Sequence, residues 1–479
     1  MKYQRTVSLA LLLAASGCAL TPKLQRPVVS TPTDWRWKAA SPNDEAPRGD
    51  WWTAFNDATL NELEARAATN NQSLKSAFAR VEQARAIARV SKADFYPSLN
   101  GGANYTRFRT PENLPGPLSQ SIPSITADWF STPLDLSYEI DLFGRVRNSF
   151  RAAQAQAEAG VASYRTALTT LTADVAANYF LLRQLDAEME ILERGIQLRR
   201  DALAIVEARA KSGLTSEADS ARARTELAAV QAEATDIQRR RAELEHALAV
   251  LCGEPASTFA VAARTTTPAI PEIPVGLPSS LLERRSDVAE AERQLAAACA
   301  QIGVAKAAFF PVVRLTGSGG FASADLDTLF NWESRVWTIG PSIAFPIFQG
   351  GRNRANLAAA KARHEELVGA YRQRVLVAFK EVEDALADLK FRAEQSEHAA
   401  QAVASATQST QFSNDRYTRG LVNYLEVVDS QRTQLQAERA AAQVHAQRLV
   451  SSVLLVKALG GGWEKPDGQP QLAQAKPAR

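Results

Sequence analysis

The chain is poor in the residues from which redox, metal and disulfide chemistry is built. It holds 3 cysteines, 2 methionines and 4 histidines in 479 residues. Three cysteines exclude a disulfide framework. Cys252 and Cys299 sit in alanine-rich helical stretches without a CxxC partner and read as small buried apolar residues. His246, His364, His398 and His445 lie singly, without metal-ligand spacing. No nucleophile elbow or phosphate loop is present: Gly317-Ser318-Gly319-Gly320 and Gly460-Gly461-Gly462 are not followed by Gly-Lys-Ser/Thr. The expectation is a non-enzyme with no cofactor and no metal. Charge of one sign is also missing: Lys plus Arg is 55 and Asp plus Glu is 52, which gives no electrostatic case for a nucleic-acid partner. Aromatics are only 7%, and alanine fills much of the apolar fraction. Alanine favours helices but occupies little volume, so long, closely approaching helices are expected. No run is apolar enough for a helical membrane span.

What is present begins with a leader. Lys2 and Arg5 precede the short apolar run Val7 to Ala15, then Ala15-Ser16-Gly17 lead into Cys18. This is a signal peptide over 1–17, and it resembles a bacterial lipobox with Cys18 as the lipidated first mature residue. Ala15 stands where that motif has Leu. Ala19 after the cysteine favours the outer membrane by resemblance to Gram-negative lipoproteins. Residues 18–50, rich in proline and polar side chains, read as a lipidated extended tether.

The rest repeats itself. Ala93 to Pro97 resembles Ala307 to Pro311, and Ser137 to Asn148 aligns without a gap on Ser342 to Asn353. Arg209-x-x-x-Gly213-Leu214 recurs as Arg416-x-x-x-Gly420-Leu421, and Leu251-Cys252-Gly253 as Leu459-Gly460-Gly461. Repeat one covers 51–267, a proline-rich linker 268–278, repeat two 279–463 and a flexible tail 464–479. Each repeat reads as a helix, two strands, a very long helix and a returning helix. The first helix of repeat one spans about Leu60 to Lys92 on a heptad seam of small residues. The long helices, about 146–211 and 352–419, contain no proline and would each span roughly 100 Å. Gly213 and Gly420 end them as left-handed caps.

The strands have two faces. Leu134, Leu136, Tyr138, Ile140 and Leu142 alternate with Asp135, Ser137, Glu139 and Asp141. Trp337, Ile339, Ile343, Phe345 and Ile347 alternate with small or polar residues. Leu99 to Phe108 and Val312 to Phe321 are the preceding strands. Four strands cannot close a barrel, and lipid tolerates no open edge. Three protomers would supply twelve. The segments 111–123 and 325–333 would be the outward loops.

These residues resemble the TolC-like outer-membrane efflux factors, of the OprM and NodT lipoprotein type. The resemblance rests on Tyr138-Glu139-Ile140-Asp141-Leu142-Phe143-Gly144-Arg145, Leu281 to Arg285, Ala307 to Pro311, Arg416-Tyr417-x-x-Gly420, Asn423-Tyr424-Leu425 and Ala458 to Trp463. Ser286 departs from the family's usual proline. The resemblance implies an α+β membrane protein of two tandem structural repeats, trimeric. Its 12-stranded outer-membrane β-barrel would continue into a long periplasmic α-helical barrel. It implies a passive exit duct for drugs or other small amphipathic compounds in a tripartite efflux system of a Gram-negative bacterium. The partners are a periplasmic adaptor, a proton-driven inner-membrane transporter and outer-membrane lipid. A periplasmic gate falls on Leu425, Glu426 and Asp429, where converging carboxylates would attract cations. The adaptor-docking tips fall on Gly213, Leu214, Thr215, Gly420, Leu421 and Val422. Asp135, Glu139 and Asp141 would line the barrel lumen. A protein-secretion or metal-efflux duct stays open as an alternative, although Met1 and Met189 alone weakly disfavour soft metals. So does a non-conducting, lipid-anchored periplasmic coiled-coil scaffold.

Overall fold

A computed structural model describes residues 21–22, 25–38, 49–112, 124–264, 268–276 and 278–461. The signal peptide, Cys18, most of loop 111–123, Trp463 and the tail lie outside them. Eight α-helices are described: α1 (Ala58–Asn70), α2 (Gln72–Ala93), α3 (Arg145–Lys211), α4 (Glu217–Leu251), α5 (Pro278–Arg284), α6 (Ser286–Ala307), α7 (Arg352–Thr418) and α8 (Tyr424–Ala458). None of the described helices is long and apolar enough to cross a membrane. Five strands accompany them: β1 (Ser98–Gly101), β2 (Asn104–Arg109), β3 (Thr126–Ile140), β4 (Val312–Ser323) and β5 (Arg335–Ala344).

Element lengths recur between the repeats. Helices α3 and α7 have 67 residues each, α4 and α8 have 35 each, and α2 and α6 have 22 each. The structure also corrects two sequence alignments. Gly144 and Gly351, both at positive φ, accept at their carbonyls from the N–H groups of Asn148 and Ala355. They are therefore equivalent, and repeat two holds two extra residues at this strand-to-helix turn. At the far end Gly253 pairs with Gly460, not Gly461. Glu254 N–H donates to Ala249 C=O and Gly253 N–H to Val250 C=O, just as Gly461 donates to Val456 and Gly460 to Lys457.

The expected first helix is two helices. Asn71 interrupts it because its side chain serves both neighbours: Oδ1 accepts from Leu74 N–H at 2.8 Å, capping α2, and Nδ2 donates to Leu251 C=O at 2.9 Å. The expected first strand is likewise broken into β1 and β2, which share one register along β3. The gap lies opposite Pro133, which has no N–H to give the ladder; its carbonyl still accepts from Gly102 N–H.

Two compact units emerge, and each takes chain from both repeats. The first comprises the segment up to Pro27, Glu82–Gly160 and Ala291–Ala370. Its five strands form one antiparallel sheet in the order β1/β2, β3, β4, β5, so β3·β4 joins the repeats. The second comprises Val28–Val81, Val161–Glu290 and Tyr371 onward. It is helical, with Tyr179, Phe180, Leu60, Leu63 and Leu182 fully buried and a further cluster of Leu185, Leu192, Val230 and Ile237. Fully burying such a side chain contributes about 1.5–3 kcal/mol. Asp57 starts α1 by accepting from the N–H groups of Thr59 and Leu60 and from the Tyr179 hydroxyl at 2.7 Å. Ser286 opens α6 within hydrogen-bond distance of Thr166, 3.0 Å between hydroxyls, a contact proline cannot make.

Within the stretch expected as a tether, described residues are bound to the folded body. In the second unit Trp35 is buried, donates from Nε1 to Gly276 C=O at 2.9 Å and meets Phe379 edge-on. Trp37 packs edge-on against Phe391. Amphipathic rings account for this: tryptophan gives a large apolar contact and one N–H that needs a partner.

Glu64 is an anomaly in the α1 packing. It is fully buried, and neither carboxyl oxygen has a hydrogen-bond partner. Burial first, then Asp50, pushes its pKa up to about 9. The folded protein thus holds a proton that the unfolded chain releases above about pH 4.3. Stability is fully present below that pH and falls as pH rises towards 9. At pH 7 the loss is about 4 kcal/mol. Glu64→Gln is expected to recover most of it and to flatten the decline in thermal midpoint between pH 5 and 9. A variant with an unchanged midpoint and the same pH slope refutes a protonated Glu64. Burial likewise raises the Cys252 thiol to about 11, which leaves it unreactive.

Candidate gate, docking tips and channel face

The helical hairpins end in the same backbone device. Leu214 N–H donates to Arg209 C=O and Gly213 N–H to Ala210 C=O, both at 2.9 Å. Leu421 donates to Arg416 and Gly420 to Tyr417 at the same distance. This Schellman arrangement needs a left-handed residue, and Gly213 and Gly420 sit at φ 72° and 73°. The returning helices start on side-chain caps: Ser216 accepts from Ala218 N–H and Asn423 from Glu426 N–H. What projects is Leu214, 76% exposed, and Leu421, 67% exposed. Thr215 and Val422 are half-buried, and the Thr215 hydroxyl donates to Asp219 at 2.8 Å.

Helix α8 is oriented by its apolar residues. Tyr424, Val427 and Val428 bury against Val206 and Ala223, with Tyr417 alongside. Leu425 and Asp429, one turn apart, are thereby left exposed on one face. Glu426 is half-buried and accepts from Arg416 at 2.8 Å. Of the three expected gate residues, two stand open and the third is held by an ion pair within its own chain.

Sequence reasoning missed the arginines that tie α8 to the first repeat. Arg432 donates from Nε to Glu226 at 2.9 Å and makes a second contact with the other oxygen. That hydrogen bond raises the Arg432 pKa. Arg439 reaches Glu233 at 2.6 Å and Glu188 at 3.2 Å. Arg209 lies over the Tyr417 ring, 4.8 Å from its centre. The available signal was weak: arginines spaced by seven on α8 and single glutamates on α4.

The sheet register sorts its side chains. Leu134, Leu136, Tyr138 and Ile140 of β3 stand opposite Gly319, Gly317, Leu315 and Val313 of β4. Ile339 and Ile343 of β5 continue that face. Asp135, Ser137 and Glu139 stand opposite Ser318, Thr316 and Arg314, and then Thr338, Gly340 and Ser342. One face is apolar and yet exposed, with Trp337 at 80%. The other is polar. Two of the three expected lumen residues have other duties. Glu139 accepts from Arg145 Nε at 2.7 Å and from its Nη2 at 3.0 Å. Asp141 lies beyond the end of β3, so it is not a strand residue. Its carboxylate caps α3, accepting from Val146 N–H at 3.2 Å and Arg147 N–H at 2.9 Å.

A family model described as outer membrane efflux protein matches residues 63–254 and 277–461. The chain belongs to the outer membrane efflux protein family. Among curated relatives of this efflux protein, a solvent efflux pump outer membrane protein, SrpC of Pseudomonas putida, is 35% identical over 97% of the chain and 99% of its own length. The cation efflux system protein CusC of Escherichia coli is 33% identical over 94% of the chain and 97% of its own length. Among solved structures, the CmeC outer membrane channel of Campylobacter jejuni superposes with a TM-score of 0.86 at 27% identity, over 94% of this chain and 96% of that one. The efflux protein acts at the outer membrane of a Gram-negative cell, as an outer-membrane channel component of an efflux system.

Proposed function

We propose that three copies of this efflux protein close into a passive exit duct of a tripartite pump. The reading rests chiefly on one observation: a sheet with an apolar and a polar face whose outer strands, β1/β2 and β5, have no further strand partner among the described residues. Exposed edges and an exposed apolar face are costly in water, and a closed barrel in lipid relieves both. Three copies of four strand positions supply twelve, an even number with polar residues inside. Asp135 then lines the lumen, and Glu139 braces the junction to the helices. Cys18 carries the lipid anchor. Glycine-capped tips presenting Leu214 and Leu421 receive a periplasmic adaptor, and an inner-membrane transporter supplies the energy. The cargo is small, apolar organic compounds, as the name of the SrpC relative suggests for that protein.

Leu425 and Asp429 form the constriction in this reading, each meeting its two symmetry copies. Asp429→Ala is expected to raise single-channel conductance in planar bilayers at least about twofold and to weaken cation preference, since a ring of carboxylates attracts cations. Conductance and selectivity equal to wild type would remove Asp429 from the gate. A purified protein that never conducts would instead favour the scaffold reading. A host strain lacking its own duct, complemented with this chain, separates cargo classes: restored toluene tolerance supports organic export, and restored silver tolerance alone supports cation export.

A further inference from the structure

The helices that meet the sheet carry cations at matching positions in both repeats. Helices α2 and α6 end on Lys92-Ala93 and Lys306-Ala307. Helices α3 and α7 both place an arginine third, Arg147 and Arg354, and neither has an acid in its first turn. A lysine in a last turn suits the helix dipole, but an arginine in a first turn opposes it. Helix stability therefore does not account for the arginines. Arg89 and Arg151 add charge within a further turn. Arg89, Lys92, Arg151 and Arg354 are exposed and have no ion-pair partner among the described residues. Asp94, Glu139 and Asp141 gather instead on Arg145 and Arg147, and Arg147 still stays exposed.

The side of the helices on which these cations stand follows from Arg145. It is held by Glu139, which belongs to the polar face of the sheet. At about 100° per residue, Arg147 and Arg151 lie roughly 200° and 240° round α3 from Arg145, on the side of the apolar face. Ala152 and Gln156, on the same side as Arg145, share a cavity with Ile87 of α2, Gln301 of α6 and Arg363 of α7. Lys92 and Lys306 come five residues after Ile87 and Gln301, about 140° away. Arg354 comes nine residues before Arg363, about 180° away. The cations of all four helices therefore share one side. That side continues the apolar sheet face, which ends at Ile140, Val313 and Ile343.

We propose that Lys92, Arg147, Lys306 and Arg354, with Arg89 and Arg151, form a ring that binds the phosphates of anionic phospholipids at the foot of the barrel. This rests on the reading that the sheet closes in lipid. The third residue of a helix stands about 4 Å along its axis, and a headgroup layer is about 5–7 Å deep. Long basic side chains reach phosphate there while their stems lie against apolar surface. Repetition of the same positions in both repeats spreads the cations round the barrel at one level, as a lipid leaflet requires.

The test uses the full-length protein in phosphatidylcholine bilayers doped with spin-labelled phosphatidylglycerol or spin-labelled phosphatidylcholine. Wild type is expected to hold the anionic lipid at least about threefold more strongly, an advantage that about 0.5 M salt removes. Lys92→Gln, Arg151→Gln, Lys306→Gln and Arg354→Gln together should bring the ratio to about one. The charge-conserving set Lys92→Arg, Arg151→Lys, Lys306→Arg and Arg354→Lys should keep it. So should the control pair Arg352→Gln with Arg363→Gln, on the cavity side. Equal ratios in wild type, or a preference that the neutral set retains, overturn the ring. A preference lost equally in the control pair also overturns it, because net charge alone would then suffice. Pelleting of wild type with peptidoglycan sacculi, without lipid preference, assigns the cations to the cell wall instead. A protein that enters no bilayer overturns the barrel reading, and the ring with it.

Discussion

Charging both helical tips, as Leu214→Glu with Leu421→Glu, is expected to reduce efflux to the level of cells lacking the protein while leaving its oligomer and its conductance intact. The two leucines project from caps whose hydrogen bonds are all backbone or side-chain cap bonds from other residues. Neither side chain supports the fold, and surface substitutions of that kind shift stability by only about 0.5 kcal/mol. If the adaptor buries them, each loses about 1.5–3 kcal/mol of transfer free energy, and a carboxylate forced into that contact adds a desolvation cost. Together these exceed about 4 kcal/mol, or a thousandfold in affinity. Toluene survival of complemented cells is the readout, with heat-resistant oligomer on gels and bilayer conductance as controls. Wild-type survival would show that docking does not use these tips. Leu214→Ala with Leu421→Ala should fall between the two.

Gly320→Ala is expected to prevent assembly in the outer membrane, whereas Gly319→Ala on the neighbouring residue is tolerated. A Cβ on Gly320 would stand 2.1 Å from the Thr132 carbonyl oxygen and 3.1 Å from Pro133 Cα. Both obstacles are backbone, so no rotamer change relieves them. They belong to β3, and β3·β4 is the pairing that holds the two repeats in one sheet. The same methyl on Gly319 meets only Trp337 Cβ at 4.0 Å. The expected cost at Gly320 is about 3 kcal/mol or more, at the upper end of overpacking effects, against about 0.5 kcal/mol at Gly319. Heat-modifiable mobility and outer-membrane fractionation decide between them. Equal assembly of both variants would mean that β3 and β4 can separate without consequence.

The contrast between those glycines is not readable from a string of Gly317, Ser318, Gly319 and Gly320. Periodicity showed which side chains share a face, because side-chain direction alternates along any strand. It did not show which backbone lies across the ladder. The same holds for the carboxylates. Asp135, Glu139 and Asp141 fall on one face by spacing, yet Asp141 leaves the strand because an unpaired helix start beside it needs an acceptor. Glu64 sits one residue from Leu63 in a heptad seam, and nothing local distinguishes it from the solvated glutamates around it. Only the packing of α1 closes over it. Nothing in the proline-rich composition around Trp35 and Trp37 marked them as bound residues.

The sequence by itself determined the repeat, the two proline-free long helices with their glycine stops, and the two faces of the strands. These depend on backbone sterics and on near-neighbour periodicity, which operate within a few residues. Tertiary structure alone decided that the compact units cut across the repeats, that Trp35 is buried against Gly276 and Phe379, and which charges pair. Those outcomes depend on groups far apart in the chain being brought within a few ångströms. Arg432 meets Glu226 across 206 residues, and no local pattern encodes a distance of that kind.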